Sequence, residues 1–347
     1  MPSISSIQVL RALAALMVVV HHVQPDAALL AQVSGSAFHP AHFLPWMAGV
    51  DIFFVVSGFI MVHSSRELLG RQGAAGLFLR RRLVRIVPLY WAMTGLFLLV
   101  GAVKPSVLNS GPPDAAQILG SLLFWPMLST QGFVQPVYSL GWTLNYEMLF
   151  YGVFAAALLL PARWVLPAVS MVLAGLVATE ALRGPLPLPF GFWGQPIVLE
   201  FAAGMGLAVL RGRGLRLNAP MRSLAALAGV GVLLLAARQG EGAGWSVVAW
   251  NGSAAVLLVL SAVCGREGGE PPAAVKALAR LGDASYALYL VHPFVIRGLR
   301  ELVLQAGGVW PLAFVALAMA ASVLAALLLH AGFERPMLRL LRRRPVP

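Results

Sequence analysis

Apolar residues in this chain gather into runs of about twenty, separated by short polar or Pro/Gly-marked stretches. A helix needs about that length to cross the hydrocarbon core of a bilayer. In lipid the helix also satisfies every backbone polar group within its own segment. Ten such runs are predicted as spans, at about 7–24, 47–64, 84–102, 139–160, 164–182, 192–210, 224–237, 245–264, 283–303 and 311–332. The pattern therefore predicts an all-α, polytopic membrane protein of about ten transmembrane helices. Between the second and third runs lies a basic loop holding Arg66, Arg71, Arg80, Arg81, Arg82 and Arg85. The stretch from Lys104 to Tyr138 holds only a short apolar piece, Ile118–Met127, too short to span and expected to be re-entrant or interfacial. Asp283 precedes the ninth run and is expected to be its N-cap.

Composition agrees with the pattern. Of 347 residues, 59% are hydrophobic and 11% charged, where a soluble domain averages about 25% charged. Mean hydropathy is +0.81. Residues 1–347 are expected to form a single membrane domain, with no appended soluble domain and with the first run kept as a span.

The net charge of +12 is a topology signal and not a nucleic-acid footprint. Ten spans put both termini on one side. Placing them in the cytoplasm puts twenty of the twenty-five Lys and Arg residues on the inner side. The five that fall outside are Lys104, Arg183, Arg238, Arg297 and Arg300. Cys264 is the single cysteine, which excludes an intramolecular disulfide and a thiolate cage. No phosphate-binding glycine loop, zinc-binding H-E-x-x-H or G-x-S-x-G elbow is present. No metal is expected.

Several spans carry ionisable residues, which are costly in a bilayer and usually functional. In the first run Arg11 and His22 are eleven residues apart. At 3.6 residues per turn they leave the same face, roughly 16 Å apart along the axis. His21 points about 100° away from His22. By the predicted orientation Arg11, Arg82 and Arg85 form an inner cationic layer, while His22, Asp51 and Glu147 form an outer one. Glu200, His292, His39, His42 and His63 read more simply as structural or interfacial, with His292 bonding a backbone carbonyl freed by Pro293.

The two layers suit different chemistry. Guanidinium groups grip phosphates bidentately. An imidazole can take a proton from a hydroxyl, with a carboxylate orienting it. The combination points to group transfer across a membrane from a phosphorylated carrier. A secondary transporter or flippase using the same charges as a proton relay is the alternative. A structural subunit of a synthesis complex would leave the polar slot unexplained.

These residues resemble the acyltransferase-3 family of bacterial integral-membrane O-acyltransferases, in particular its exopolysaccharide-production type. Arg11 and His22 match the family's Arg-x10-His motif, and Gly49–Phe59 matches its second-span signature. Phe78–Tyr90, with Arg82 and Arg85, matches its basic region, and Trp142–Glu147 with Phe150-Tyr151 its fourth-span motif. Gly282–Tyr286, Tyr289–Pro293 and Phe333–Pro336 also fit.

The resemblance implies a ten-span core in the bacterial inner membrane. It implies a cytoplasmic acyl-CoA donor, typically acetyl-CoA, and a sugar hydroxyl in a lipid-linked glycan or polysaccharide as acceptor. Arg11, Arg82 and Arg85 would hold the coenzyme A phosphates. His22 would be general base, oriented by Glu147 or Asp51, or would itself carry the acyl group. A place in a polysaccharide-synthesis complex is also implied.

Overall fold

The computed structural model describes residues 5–104, 112–240, 242, 244–265, 270–307 and 310–342. Arg266, Arg343 and Arg344, counted above as inner charges, lie outside the described residues. Among the described residues the fold is helical throughout, apart from one isolated antiparallel bridge between Leu128 and Val134.

In order, the helices are α1 (Ser5–Ser34), α2 (Ala48–Ser65), α3 (Ala74–Val103), α4 (Ala115–Leu122), α5 (Trp142–Ala157) and α6 (Ala162–Arg183). Next come α7 (Phe190–Trp193), α8 (Leu199–Gly212), α9 (Ala219–Gln239) and α10 (Trp245–Val247). The last is joined to α11 (Ser253–Val263) by a π-helical turn at Val248–Gly252. The chain closes with α12 (Ala273–Asp283), α13 (Ser285–Gln305), α14 (Pro311–Leu329) and α15 (Arg335–Arg342).

Seven helical stretches within the described residues are long and apolar enough to cross a membrane: α1, α2 with its 3-10 extension, α3, α6, α9, α10–α11 and α14–α15. Helices α5 and α8 have 16 and 14 residues. Helix α13 carries Arg297, Arg300 and Glu301 in its second half.

Three expectations from the sequence change, and a fourth gains its detail. Helix α1 runs ten residues past Gln24, because the polar groups read as its end find partners. Gln24 accepts from the Ala41 N–H, and Asp26 accepts from Arg300. Pro25 is carried inside the helix. Helix α3 starts ten residues early, behind Gly73 at φ 72, so Arg80–Arg85 are helical and not in a loop. Asp283 caps nothing: it is the last residue of α12, and Ala284 precedes α13. The short apolar piece becomes α4, capped by Asp114, whose side chain accepts from the Gln117 N–H at 2.7 Å. It stops at Leu122.

The chain forms two compact units. One comprises Met1–Ile60 and Ala203–Phe333, the other Met61–Ala202 and Glu334–Pro347. In the first unit α1 packs against α11, α12, α13 and α14, while α9 packs on α11 and α13 on α14. Small residues permit these approaches, as is usual for helices in lipid. A Cβ at Gly282 of α12 would overlap the Gln8 carbonyl of α1, and one at Gly49 of α2 the Ala14 carbonyl.

In the second unit α3 packs on α5, α5 on α6, and α15 on α3. Its core is aromatic. Phe78 stacks on Phe154 at 4.9 Å and Phe150 on Phe201 at 4.5 Å.

Candidate active site

The sequence-predicted site residues divide between the units. Arg11, His22 and Asp51 belong to the first, and Arg82, Arg85 and Glu147 to the second.

In the first unit, three polar contacts join α1 to α13. Arg11, only 7% exposed, donates to Ser285 Oγ at 2.8 Å and to Gln8 Oε1 at 3.1 Å. The His22 and His292 rings meet with centroids 5.0 Å apart. Arg300 donates to Asp26 at 2.6 Å. The contacts climb both helices in the same direction, so α1 and α13 run parallel. On α13 the spacing Ser285, Tyr289, His292 is i, i+4, i+7, a single stripe of a helix. Tyr289 also meets Phe53 of α2. Asp51, on the same helix as Phe53, is buried at 3% exposure.

The histidine geometry fixes the tautomers. His22 Nδ1 lies 2.9 Å from the Val18 carbonyl oxygen. A carbonyl only accepts, so Nδ1 carries the hydrogen, and in the neutral ring Nε2 keeps the lone pair. Nε2 is thus the accepting nitrogen of the neutral ring. At Nδ1 the ring is held by its own helix backbone, one turn below. His292 is held in the same way, with Nδ1 donating to the Leu288 carbonyl at 3.0 Å. The carbonyl that Pro293 frees is that of Tyr289, which the His292 ring also reaches, so the expected backbone bond is present; its ring contact with His22 is an addition. His21 also touches His22, with centroids 4.9 Å apart.

In the second unit, Arg82 on α3 is held from three sides. Its Nη2 donates to Ser64 Oγ at 2.6 Å, and its guanidinium lies 5.5 Å from the Phe78 ring centre. Tyr151 and Glu147 of α5, one turn apart, sit within its electrostatic reach, as does Arg85 one turn along α3. The Tyr151 hydroxyl is hydrogen-bonded to the Glu147 carboxylate. The fixed fork of an arginine, positioned by a carboxylate and a hydroxyl, is suited to a phosphate. Arg80 is engaged elsewhere, its Nη2 donating to the Leu341 carbonyl of α15 at 3.1 Å.

Ser285, Tyr151 and His292 each hold or touch a candidate residue. Beyond their place in motifs of the resembled family, the sequence signals only the pairing of Tyr151 with Glu147, four apart on α5.

The comparisons converge. The acyltransferase-3 model, described as an acyltransferase domain, matches residues 4–331. The exopolysaccharide production protein ExoZ of Rhizobium meliloti (strain 1021) is 37% identical over 330 residues, covering 89% of this chain and 96% of that protein. The acyltransferase MdmB of Streptomyces mycarofaciens is 29% identical over 369 residues, covering 97% of this chain and 92% of that protein. No solved structure matches.

Proposed function

Because this chain belongs to the acyltransferase-3 family and is an acyltransferase, we propose that it moves an acetyl or other short acyl group from cytoplasmic acyl-CoA to a sugar hydroxyl. The acceptor is an exopolysaccharide or a lipid-linked glycan, in keeping with the exopolysaccharide relative. Its seat is the bacterial cytoplasmic membrane, within or beside the machinery that builds the glycan.

The topology of this proposal is ten spans with both termini in the cytoplasm. The seven long apolar helices, with α5, α8 and α13, make up that number. The arginine distribution supports the orientation. The parallel course of α1 and α13 agrees with it, since first and ninth spans cross in the same direction.

One observation carries the reading: on the membrane helix α1 the His22 Nδ1 turns to the Val18 carbonyl, which leaves Nε2 of the neutral ring as the accepting nitrogen. In the transfer, the acceptor O–H bond breaks as its proton passes to His22 Nε2. The oxygen attacks the thioester carbon, the C–S bond breaks, and the thiolate recovers the proton. General-base help of this kind is worth about 10²–10⁴ in rate. Asp51, buried in the same unit, stabilises the imidazolium. The donor phosphates fall to Arg82 and Arg85, with Glu147 and Tyr151 setting the Arg82 fork. Arg11 adds a buried positive charge further down α1.

The test uses purified protein, radiolabelled acetyl-CoA and lipid-linked glycan extract. Label reaching glycan with wild type and lost with His22→Ala supports the reading. A folded His22→Ala protein that still transfers removes His22 as base. An obligatory ternary complex supports direct transfer, whereas ping-pong kinetics would place the acyl group on the histidine first.

A further inference from the structure

His292 is fully buried, at 0% exposure. Its Nδ1 is spent on the Leu288 carbonyl, so its Nε2 carries a lone pair. That Nε2 is buried and has no hydrogen-bond partner among the described residues. Leaving such an acceptor unsatisfied costs about 1–3 kcal/mol, and a leucine would fill the space without that cost. The ring in contact with it is His22, at 5.0 Å between centroids. On taking a proton, His22 Nε2 changes from acceptor to donor. The His292 ring, its Nε2 unpartnered, lies against the ring that has become the donor.

We propose that His292 is a positioning residue for the transfer, the partner with which His22 shares the proton drawn from the acceptor hydroxyl. The inference rests on the acyl-transfer reading above. The surroundings leave this pairing to few groups. His21 touches His22, and Arg297 lies within electrostatic reach of it. Tyr289 lies against His292, and Asp51 is buried on α2 of the same unit. Helices α11 and α14, which also pack on α1, carry no charged side chain, and α12, packed on α1 as well, carries Lys276, Arg280 and Asp283.

The experiment compares wild type, His292→Gln and His292→Phe in the labelled-acetyl assay. Glutamine keeps an acceptor near the Nε2 position, whereas phenylalanine keeps only the shape. His292→Phe is expected to lose about 10² or more in kcat, with the KM for acetyl-CoA within twofold of wild type. His292→Gln is expected to recover at least tenfold of that loss. Wild-type kcat in His292→Phe overturns the proposal, as does an equal loss in the two variants. If His292→Phe does not fold, His292→Ala replaces it, with imidazole added to fill the space. Restored kcat then supports the proposal, and none overturns it. Absence of transfer by wild type would instead defeat the reading on which the inference stands.

Discussion

Arg11 on α1 donates to Ser285 Oγ on α13 at 2.8 Å, across 274 residues of sequence. Removing the hydroxyl deprives a buried charged donor of this acceptor, at a cost of about 1–3 kcal/mol. Ser285→Ala is therefore expected to lower the thermal midpoint in detergent. Arg11→Ala combined with it should be clearly less damaging than the two single effects added. Additive losses would mean that the contact does not hold the helices.

Arg82 and Arg85 should be read by the donor's phosphates. Losing one charge-assisted contact costs about 1.5–3 kcal/mol, or roughly tenfold to a hundredfold in affinity. Arg82→Ala is expected to raise the KM for acetyl-CoA in that range with little change in kcat. The truncated donor acetyl-pantetheine, which has no phosphates, should be used equally well by variant and wild type. A parallel loss with both donors would remove phosphate binding from Arg82.

Arg80 lies in the same basic run, yet its guanidinium is given to the Leu341 carbonyl. Arg80→Ala should free α15 from α3, read as faster proteolytic clipping after Glu334. Its KM for acetyl-CoA should stay at the wild-type value. A large rise in KM would give Arg80 the role proposed for Arg82 and Arg85.

Two glycines of the α12–α13 region should behave oppositely. A methyl at Gly282 would overlap the Gln8 carbonyl, while one at Gly298 meets nothing within 4 Å. Overpacking of a tight contact costs about 1–3 kcal/mol or more. Gly282→Ala is expected to depress both thermal midpoint and membrane yield, and Gly298→Ala to leave both unchanged.

Much of the architecture is legible in the sequence, and the reasons differ by residue. The alignment of Arg11 with His22 needs only the helical period, because both lie on α1. The helical identity of the long apolar segments follows from length and lipid alone. The arginines at 80–85 mislead, because their charge density resembles a loop. The helix start is set upstream, by the backbone at Gly73. Asp283 misleads for a related reason. It precedes an apolar run, as a cap does, but the residues before it already form a helix packed on α1.

The contact between His22 and His292 has no sequence signal of its own. It depends on which helix α1 chooses as neighbour, and periodicity carries no information about that. The same holds for Ser285 with Arg11. Tyr151 with Glu147 lies closer to the surface of the sequence, since the two are four apart on α5 and share a face.

The polar contacts between α1 and α13 also govern how the protein is made. Helix α1 leaves the ribosome first, and its partner is among the last to be synthesised. Until then Arg11 and the imidazole of His22 enter the bilayer without Ser285 or His292. A centrally placed charge costs about 2.5–3.5 kcal/mol on insertion scales. The early helix therefore carries these groups without their late partners until α13 is made. Assembly of the first unit is a late event, since it is built from the first sixty residues and from residues 203–333.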